Sequence, residues 1–159
     1  MSEWRAASLV RFSIAEARGG DIDGAWWPRV DRMTIELPRL VTALTPLLGR
    51  IDSINVNWSH LQRPPNLNWP GWEHKAQHVI TLNGEDARVN LLVIAYHTHS
   101  GLALMVLRRA AGLPIVPSDR EKPAFRTAGS VLQAAMTQRA AAGHAAAAST
   151  LQPSEPRWQ

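Results

Sequence analysis

The sequence contains no cysteine among its 159 residues, and this absence excludes several kinds of chemistry. Disulfide bridges, thiolate nucleophiles and cysteine-ligated zinc or iron–sulfur sites all require cysteine. No apolar stretch reaches the roughly 18 residues that a membrane-spanning helix needs. The first residues also lack the basic segment and apolar stretch of a signal peptide. We therefore expect a cytoplasmic protein with no membrane partner.

Catalytic signature motifs are absent as well. The chain has no Gly-x-Ser-x-Gly elbow, no phosphate-binding glycine loop and no dinucleotide-binding fingerprint. Its acidic residues form no pair that the pattern places face to face for acid–base catalysis. The sequence therefore favours a protein that is not an enzyme, and it predicts no catalytic residue, no metal and no cofactor. A single-domain enzyme can lack readable motifs, so a small-ligand enzyme stays an alternative.

Charge is distributed unevenly along the chain. Residues 1–107 carry ten basic and ten acidic residues, whereas residues 108–159 carry seven basic and three acidic residues and so account for the whole net charge of +4. A nucleic-acid-binding domain concentrates basic residues on one face of its fold. A basic C-terminal segment does not show that such a face exists. Fifteen of the seventeen basic residues are arginine, a bias that a GC-rich genome explains. Nucleic acid or ribosome binding through the tail is therefore the third hypothesis.

Tryptophan is abundant where tyrosine and phenylalanine are scarce, with seven tryptophans against one tyrosine and two phenylalanines. Two tryptophans are adjacent in the tryptophan motif, Asp23–Arg29, which reads Asp-Gly-Ala-Trp-Trp-Pro-Arg. Asp-Gly favours a turn, and a buried tryptophan N–H needs a partner. We predict that the motif forms a packed structural corner. Its expected members are Asp23, Trp26, Trp27, Arg29 and the inward-facing Trp58.

A second aromatic group lies in a proline-rich segment. Trp69 and Trp72 stand among prolines and polar residues in residues 64–72, which the pattern predicts to be a loop. Loops carry binding sites more often than cores do, although both rings could also pack inside. We predict that Trp69, Trp72 and the nearby His74 form a binding surface, and that both rings are more exposed than Trp26, Trp27 and Trp58.

The histidines raise the question of a metal site. His74 and His78 are four residues apart, and His97 and His99 are two apart, so each pair could share a face of a helix or strand. No His-Glu-x-x-His spacing is present, and surface positions explain the pairs better. Asp21 and Asp23 resemble a calcium loop only faintly, because the glycine comes too early and no closing glutamate follows.

Alternation and helical spacing predict the elements of the fold. Residues 8–14 and 50–58 alternate between apolar and polar positions, as half-buried strands do. A helical stripe of leucines begins after Asp31, with Pro38 in its first turn and Gly49 at its end. Asn83-Gly84 predicts the turn of a hairpin that ends in a buried strand up to Ala95. A second helix follows to about Ala111.

These elements predict an α+β fold with a mainly antiparallel sheet and two helices packed on one face. Residues 1–112 form the predicted domain. Residues 113–159 are predicted to be a proline-containing connector, an alanine-rich helix over 127–148 and a disordered basic tail from Ser149. Alanine favours helix but buries little surface, so deletion of 113–159 is expected to leave the domain folded.

The residues from Asp23 onward resemble an actinobacterial, mycobacterial-like family of unknown function. The resemblance is carried by the tryptophan motif, Glu36-Leu37-Pro38, Gly49-Arg50-Ile51, Trp58 and the strand Leu91–Ile94, and it covers roughly residues 8–112. It implies a small soluble protein and supplies no activity. The leading hypothesis is thus a non-catalytic binding or regulatory module with a partner, a protein among the candidates, that the sequence does not identify. An enzyme that uses a tryptophan-lined cleft with Asp23, Arg29 or His74 is the runner-up.

Overall fold

The computed structural model describes residues 10–17, 20–59 and 62–151, with side-chain surroundings as far as residue 142. The strands are β1 (Phe12–Ile14), β2 (Gly24–Trp26), β3 (Ile51–Val56), β4 (His78–Gly84) and β5 (Arg88–Val93). The helices are α1 (Met33–Leu48), α2 (Ser100–Ala110) and α3 (Pro123–Leu151), with short 3₁₀ turns at Trp72–His74 and Pro117–Glu121. Residues 8 and 9 of the first predicted strand and residues 152–159 of the predicted tail lie outside the described part.

The five strands form one mixed sheet in the order β1-β2-β5-β4-β3. Strands β3, β4 and β5 form an antiparallel meander, and β1 pairs antiparallel with β2. However, β2 and β5 run parallel, with Gly24 opposite Leu91. The α+β class is therefore correct, and the prediction of a mainly antiparallel sheet is wrong. The parallel pair arises because the meander returns β5 to the centre of the sheet, beside β2.

Helices cover both faces of the sheet. The side chains of Leu40, Leu44 and Leu48 on α1 pack in one hydrophobic cluster with Trp26 and Leu91. Helix α2 and the first half of α3 pack in the other cluster, with alternate strand residues such as Ala25 and Leu92. Neighbouring residues of a strand point to opposite faces, so the two clusters are separated by the sheet. The prediction of two helices on one face is wrong, because α1 and α2 lie on opposite faces.

Leucine spacing explains α1. Leu40, Leu44 and Leu48 recur every four residues and are fully buried, which makes one apolar stripe along the helix. Gly49 has a φ of 76° and its N–H donates to the carbonyl of Thr45, as expected for a glycine that ends a helix. Helix α1 begins at Met33, so Pro38 lies beyond the first turn in which it was predicted.

The tryptophan motif contains a central strand and not a turn. Gly24–Trp26 is β2, whose three residues are all buried. A Cβ on Gly24 would lie 1.8 Å from the carbonyl oxygen of Ser13 on β1, so glycine permits close approach of two strands here. Because strand residues alternate in direction, Trp26 packs in the α1 cluster and Trp27 in the α2 cluster. The adjacent tryptophans thus contribute to both cores.

Helix α3 packs against the sheet face that carries α2. Its buried side chains are Ala128, Val131, Leu132 and Ala135. Beyond them, the amide of Gln138 accepts the N–H of Gln77 at 2.7 Å, and Arg139 donates to Asn90 at 3.1 Å. Alanine allows this close approach even though each residue buries little area. None of the described helices is long and apolar enough to span a bilayer.

Candidate functional site

A cleft opens at the end of the sheet where the two parallel strands finish. Strand β2 ends at Trp26 and leads to α1 on one face, whereas β5 ends at Val93 and leads to α2 on the other. The connections after two adjacent parallel strands therefore separate to opposite faces. In open sheets a crevice forms at such a point, and ligands bind there.

The first part of the cleft, the β5 cavity, has a volume of about 280 Å³. Residues that follow the two parallel strands form most of its wall: Pro28, Val30, Asp31, Arg32 and Met33 after β2, and Ala95, Tyr96 and His97 after β5. The rings of Tyr96 and His97 stack with centroids 4.9 Å apart. Tyr96 is 44% exposed, so an aromatic surface faces solvent at the edge of the cavity.

The second part, the β3 cavity, has a volume of about 540 Å³. Its wall is mostly apolar and is formed by Leu37 of α1, Val56 and Trp58 at the end of β3, and Ile80 of β4. Both cavities share the lining residues Asp31, Met33, Arg63 and Pro64. The two cavities are therefore neighbouring parts of one cleft, in the size range of small-molecule sites.

Hydrogen bonds hold the loops around the cleft together. The indole N–H of Trp27 donates to the carbonyl of Tyr96 at 3.2 Å, which joins the loops after β2 and β5. The side chain of Asn68 donates to the carbonyl of His97 and accepts the N–H of His99, both at 2.7 Å. These bonds connect three separate loops, so the cleft is preorganised.

Two charged side chains hold the loop between β2 and α1. The guanidinium of Arg11 donates to the carbonyls of Trp27 and Pro28 and lies 3.6 Å from the Trp27 ring centroid. Burial, and then the charge of Arg29, lowers the pKa of Arg11, while Glu36 acts in the opposite direction. Glu36 is itself buried and accepts the N–H of Val30 at 2.9 Å.

The charged residues that line the cleft have a net positive charge. Asp31 forms an ion pair with Arg63, and both side chains reach solvent. Arg32 lines the β5 cavity as a further cation. Among the arginine and aspartate side chains of the lining, Arg32 and Arg63 outnumber Asp31, which leaves one excess positive charge. The charge of this region is therefore complementary to that of an anionic group.

Trp58 in the β3 cavity is supported from behind by a neutral histidine. The rings of Trp58 and His78 stack with centroids 4.5 Å apart and an interplanar angle of 8°. His78 is 3% exposed, and burial lowers its pKa from 6.5 to about 4. At neutral pH His78 therefore adds no charge to the cleft.

Stability is expected to fall between pH 7 and pH 5 because of His78. The unfolded chain takes up a proton near pH 6.5 and the folded chain only near pH 4, so acid favours the unfolded state within this window. This difference in proton uptake corresponds to an expected loss of about 1–2 kcal/mol of unfolding free energy by pH 5. Urea unfolding of the parent and of His78→Gln at both pH values measures this loss. The exposed His99→Gln is the control, and equal pH dependence in all three proteins would contradict the prediction.

The structure separates the three residues of the predicted binding surface. Trp69 is 66% exposed, Trp72 is only 8% exposed, and His74 is exposed on the 3₁₀ turn that begins at Trp72. Trp72 packs in the α2 cluster with Leu67 and is more buried than the half-buried Trp58. The prediction that both loop tryptophans are more exposed than Trp58 is therefore wrong for Trp72. Neither Trp69 nor His74 lines the two cavities, and their binding role stays a prediction.

The residues predicted to form a structural corner lie at several places along the sheet. Asp23 is 2% exposed and its carboxylate accepts the N–H groups of Gly20 and Asn90. Asp23 precedes β2 and Arg29 follows it, so they lie at opposite ends of that strand. Trp58 lines the β3 cavity, half-buried, whereas Trp26 and Trp27 are core residues. Of the five, only Trp58 is a wall of the cleft.

Most charged and aromatic cleft residues were not singled out from the sequence. No sequence motif includes Asp31, Arg32, Arg63 or Tyr96. The histidine spacing predicts a surface position for His97. The signal that identifies them is positional, because Arg32 follows β2 and Tyr96 follows β5. That signal can be used only once β2 and β5 are known to be parallel neighbours. Within residues 10–17, 20–59 and 62–142, no three histidines or acids are grouped as metal ligands.

Comparison with known proteins shows that one protein family matches part of the chain. The model of a protein family described as a family of unknown function (DUF5994) matches residues 10–110. The match contains every lining residue of both cavities and leaves out α3. No curated protein and no solved structure matches the chain. The matched region and its unknown function agree with the resemblance found in the sequence, whereas actinobacterial origin stays a prediction.

Proposed function

This chain belongs to the DUF5994 family of unknown function, and we propose that it is a non-catalytic binding module that holds a small molecule in the cleft beyond β2 and β5. The observation that carries the proposal is the position of the cleft. It lies where the connections of two adjacent parallel strands separate to opposite faces, which is the general ligand position in open sheets.

The composition of the wall supports binding of a small molecule. Apolar side chains such as Leu37, Val56 and Ile80 form most of the β3 cavity, and a few polar groups stand at its edge. Small-molecule sites typically combine an apolar wall with a few placed polar groups. The bonds from Trp27 and Asn68 fix the loops before any ligand arrives, which reduces the entropy cost of binding.

The polar groups of the cleft suit binding better than catalysis. General acid–base catalysis requires a proton donor or acceptor directed at a reacting atom. Asp31, the carboxylate among the lining residues, is paired with Arg63. Tyr96 and His97 stack on each other at the solvent edge. This arrangement recognises charge and shape and prepares no nucleophile, so we assign recognition as the role of the site.

Filling the cleft tests the proposal. Val56 is 49% exposed on the wall of the β3 cavity, so Val56→Trp is expected to fill the cavity without unfolding the edge strand β3. A library of metabolite-sized compounds is screened by thermal shift. A ligand at one hundred times its Kd stabilises a folded protein by about 2.7 kcal/mol. We expect compounds that raise the Tm of the parent but not that of Val56→Trp.

The matched control for this screen is Val116→Trp. Val116 is 52% exposed and lies in the connector, outside both cavities. This variant adds the same side chain at a similar exposure, so it is expected to respond to ligands as the parent does. Hits that stabilise Val56→Trp as well as the parent would place ligand binding elsewhere and refute the proposal.

A further inference from the structure

We infer that the ligand of this cleft is an amphipathic anion, with a carboxylate-like head group at Arg63 and Arg32 and an apolar body in the β3 cavity. The inference rests on the proposed function and specifies the ligand class of the same site. It follows from the distribution of charge and apolar surface along the cleft.

Charge is concentrated where the two cavities meet. Arg63 and Asp31 line both cavities, and Arg32 lines the β5 cavity beside them. A planar guanidinium binds carboxylate and related oxyanions through two parallel hydrogen bonds. The excess of arginine over aspartate at this junction favours an anionic head group over a neutral or cationic one.

Apolar surface extends from this junction into the β3 cavity. Leu37, Val56, Trp58 and Ile80 form its wall. Trp58 is held in place by its stack on His78, which is uncharged above about pH 4. A chain of methylene groups or an aromatic ring in this cavity would remove apolar surface from water at about 25 cal/mol per Å². A small hydrophilic anion would leave the cavity filled with water and gain none of this energy.

The ion pair between Asp31 and Arg63 predicts how ligand binding responds when either charge is removed. An anionic head group must compete with the Asp31 carboxylate for the Arg63 guanidinium. Removing the charge of Asp31 should therefore strengthen binding of an anion, while removing the charge of Arg63 should weaken it. A cationic ligand would respond in the opposite direction to both changes, and a neutral ligand would respond to neither.

The probe is decanoate, titrated by calorimetry below its aggregation concentration. Decanol has the same chain without charge, decyltrimethylammonium reverses the charge, and acetate retains the carboxylate without the chain. We expect decanoate to bind at least tenfold more tightly than decanol, and acetate and the cation to give no heat. Vesicles of phosphatidylglycerol, tested by co-sedimentation, separate a dissolved ligand from a membrane surface. The inference expects no sedimentation with them.

Two variants test the role of the ion pair, and a third serves as the control. Arg63→Gln should weaken decanoate binding about fivefold to tenfold because a solvent-exposed charged hydrogen bond is lost. Asp31→Asn should strengthen it about twofold to fivefold, and decanol should respond to neither change. Arg120→Gln removes an exposed arginine outside both cavities and should bind decanoate as the parent does.

The outcomes separate this inference from the proposed function. Decanol binding as tightly as decanoate, or tighter binding of the cation, would overturn the anionic class and leave the cleft as a site. Vesicle sedimentation that Arg63→Gln abolishes would overturn a dissolved ligand in favour of a membrane surface. Weaker decanoate binding to Asp31→Asn than to the parent would also refute the inference. A screen in which no compound distinguishes the parent from Val56→Trp would refute the proposed function itself.

Discussion

A chain that ends after Lys122 is expected to lose its cooperative unfolding transition, or to unfold with several kcal/mol less free energy than the parent. The deletion removes Val131 and Leu132, whose side chains are buried in the α2 cluster. Burial of two such side chains contributes about 3–6 kcal/mol, a large part of the 5–15 kcal/mol that stabilises a typical domain. The deletion also exposes the apolar residues that pack against α3, and it removes the hydrogen bonds of Gln138 and Arg139.

Thermal unfolding followed by circular dichroism measures this effect. A chain that ends after Ala142 is the control, because it retains all the α3 side chains whose packing is described and should melt within a few degrees of the parent. Parental melting of the chain that ends after Lys122 would show that α3 is dispensable. That result would support the domain boundary at residue 112 that the composition of the C-terminal segment indicates.

Gly24→Ala is expected to destabilise the protein by about 3 kcal/mol or more, a large effect for one methyl group. The new Cβ would meet the backbone of β1, with the carbonyl oxygen of Ser13 at 1.8 Å and its carbonyl carbon at 2.7 Å. Backbone cannot rotate away as a flexible side chain can, so β1 must move. Moving β1 would also disturb Val10 and Phe12, which pack in the α1 cluster.

Gly101→Ala is the matched control for this substitution. A Cβ on Gly101 meets nothing within 4 Å, and the residue lies in the first turn of α2. Alanine forms helix more readily than glycine does, so this variant should be as stable as the parent or slightly more stable. Urea unfolding compares the two variants. Equal midpoints would show that β1 and β2 are not as close as the structure places them.

The same glycine explains why the turn that the sequence predicts at Asp23-Gly24 is a strand in the structure. Asp23-Gly24 is typical of a turn, but here the glycine permits close strand packing and Asp23 accepts two backbone N–H groups. Two adjacent large apolar residues break the alternation expected of a half-buried strand. The motif nevertheless contains strand β2 because helices cover both faces of the sheet, a tertiary feature that local pattern does not reveal.

Elements whose sequence pattern lies within one short segment of the chain were predicted well. The leucine stripe of α1, its end at Gly49 and the hairpin of β4 and β5 all appear in the structure. Even so, Asn83-Gly84 lies at the end of β4, and the tight turn follows it at Glu85-Asp86. A Cβ on Gly84 would lie 2.3 Å from the carbonyl oxygen of Leu48, so this glycine also serves packing against α1.

The cleft could not be predicted from the sequence, because its charged and aromatic residues come from segments that lie far apart in the chain. Arg32, Arg63 and Tyr96 become neighbours only when β5 inserts between β2 and β4. Trp58 was singled out, but as a core residue, and its ring is a wall of the β3 cavity. The pairing of non-consecutive strands determines which residues meet in the cleft. Periodicity within single elements carries no information about that pairing.

The measurement that tests the central claim most directly is methyl chemical-shift mapping with the same compound library, using protein labelled at its isoleucine, leucine, valine and methionine methyl groups. If the cleft is the binding site, bound compounds will shift the methyl signals of Met33, Leu37, Val56 and Ile80, which line it. The signals of Leu104 and Val116, exposed outside both cavities, will remain unchanged. Shifts confined to those outer methyl groups, with the cleft signals unmoved by every compound, would contradict the account.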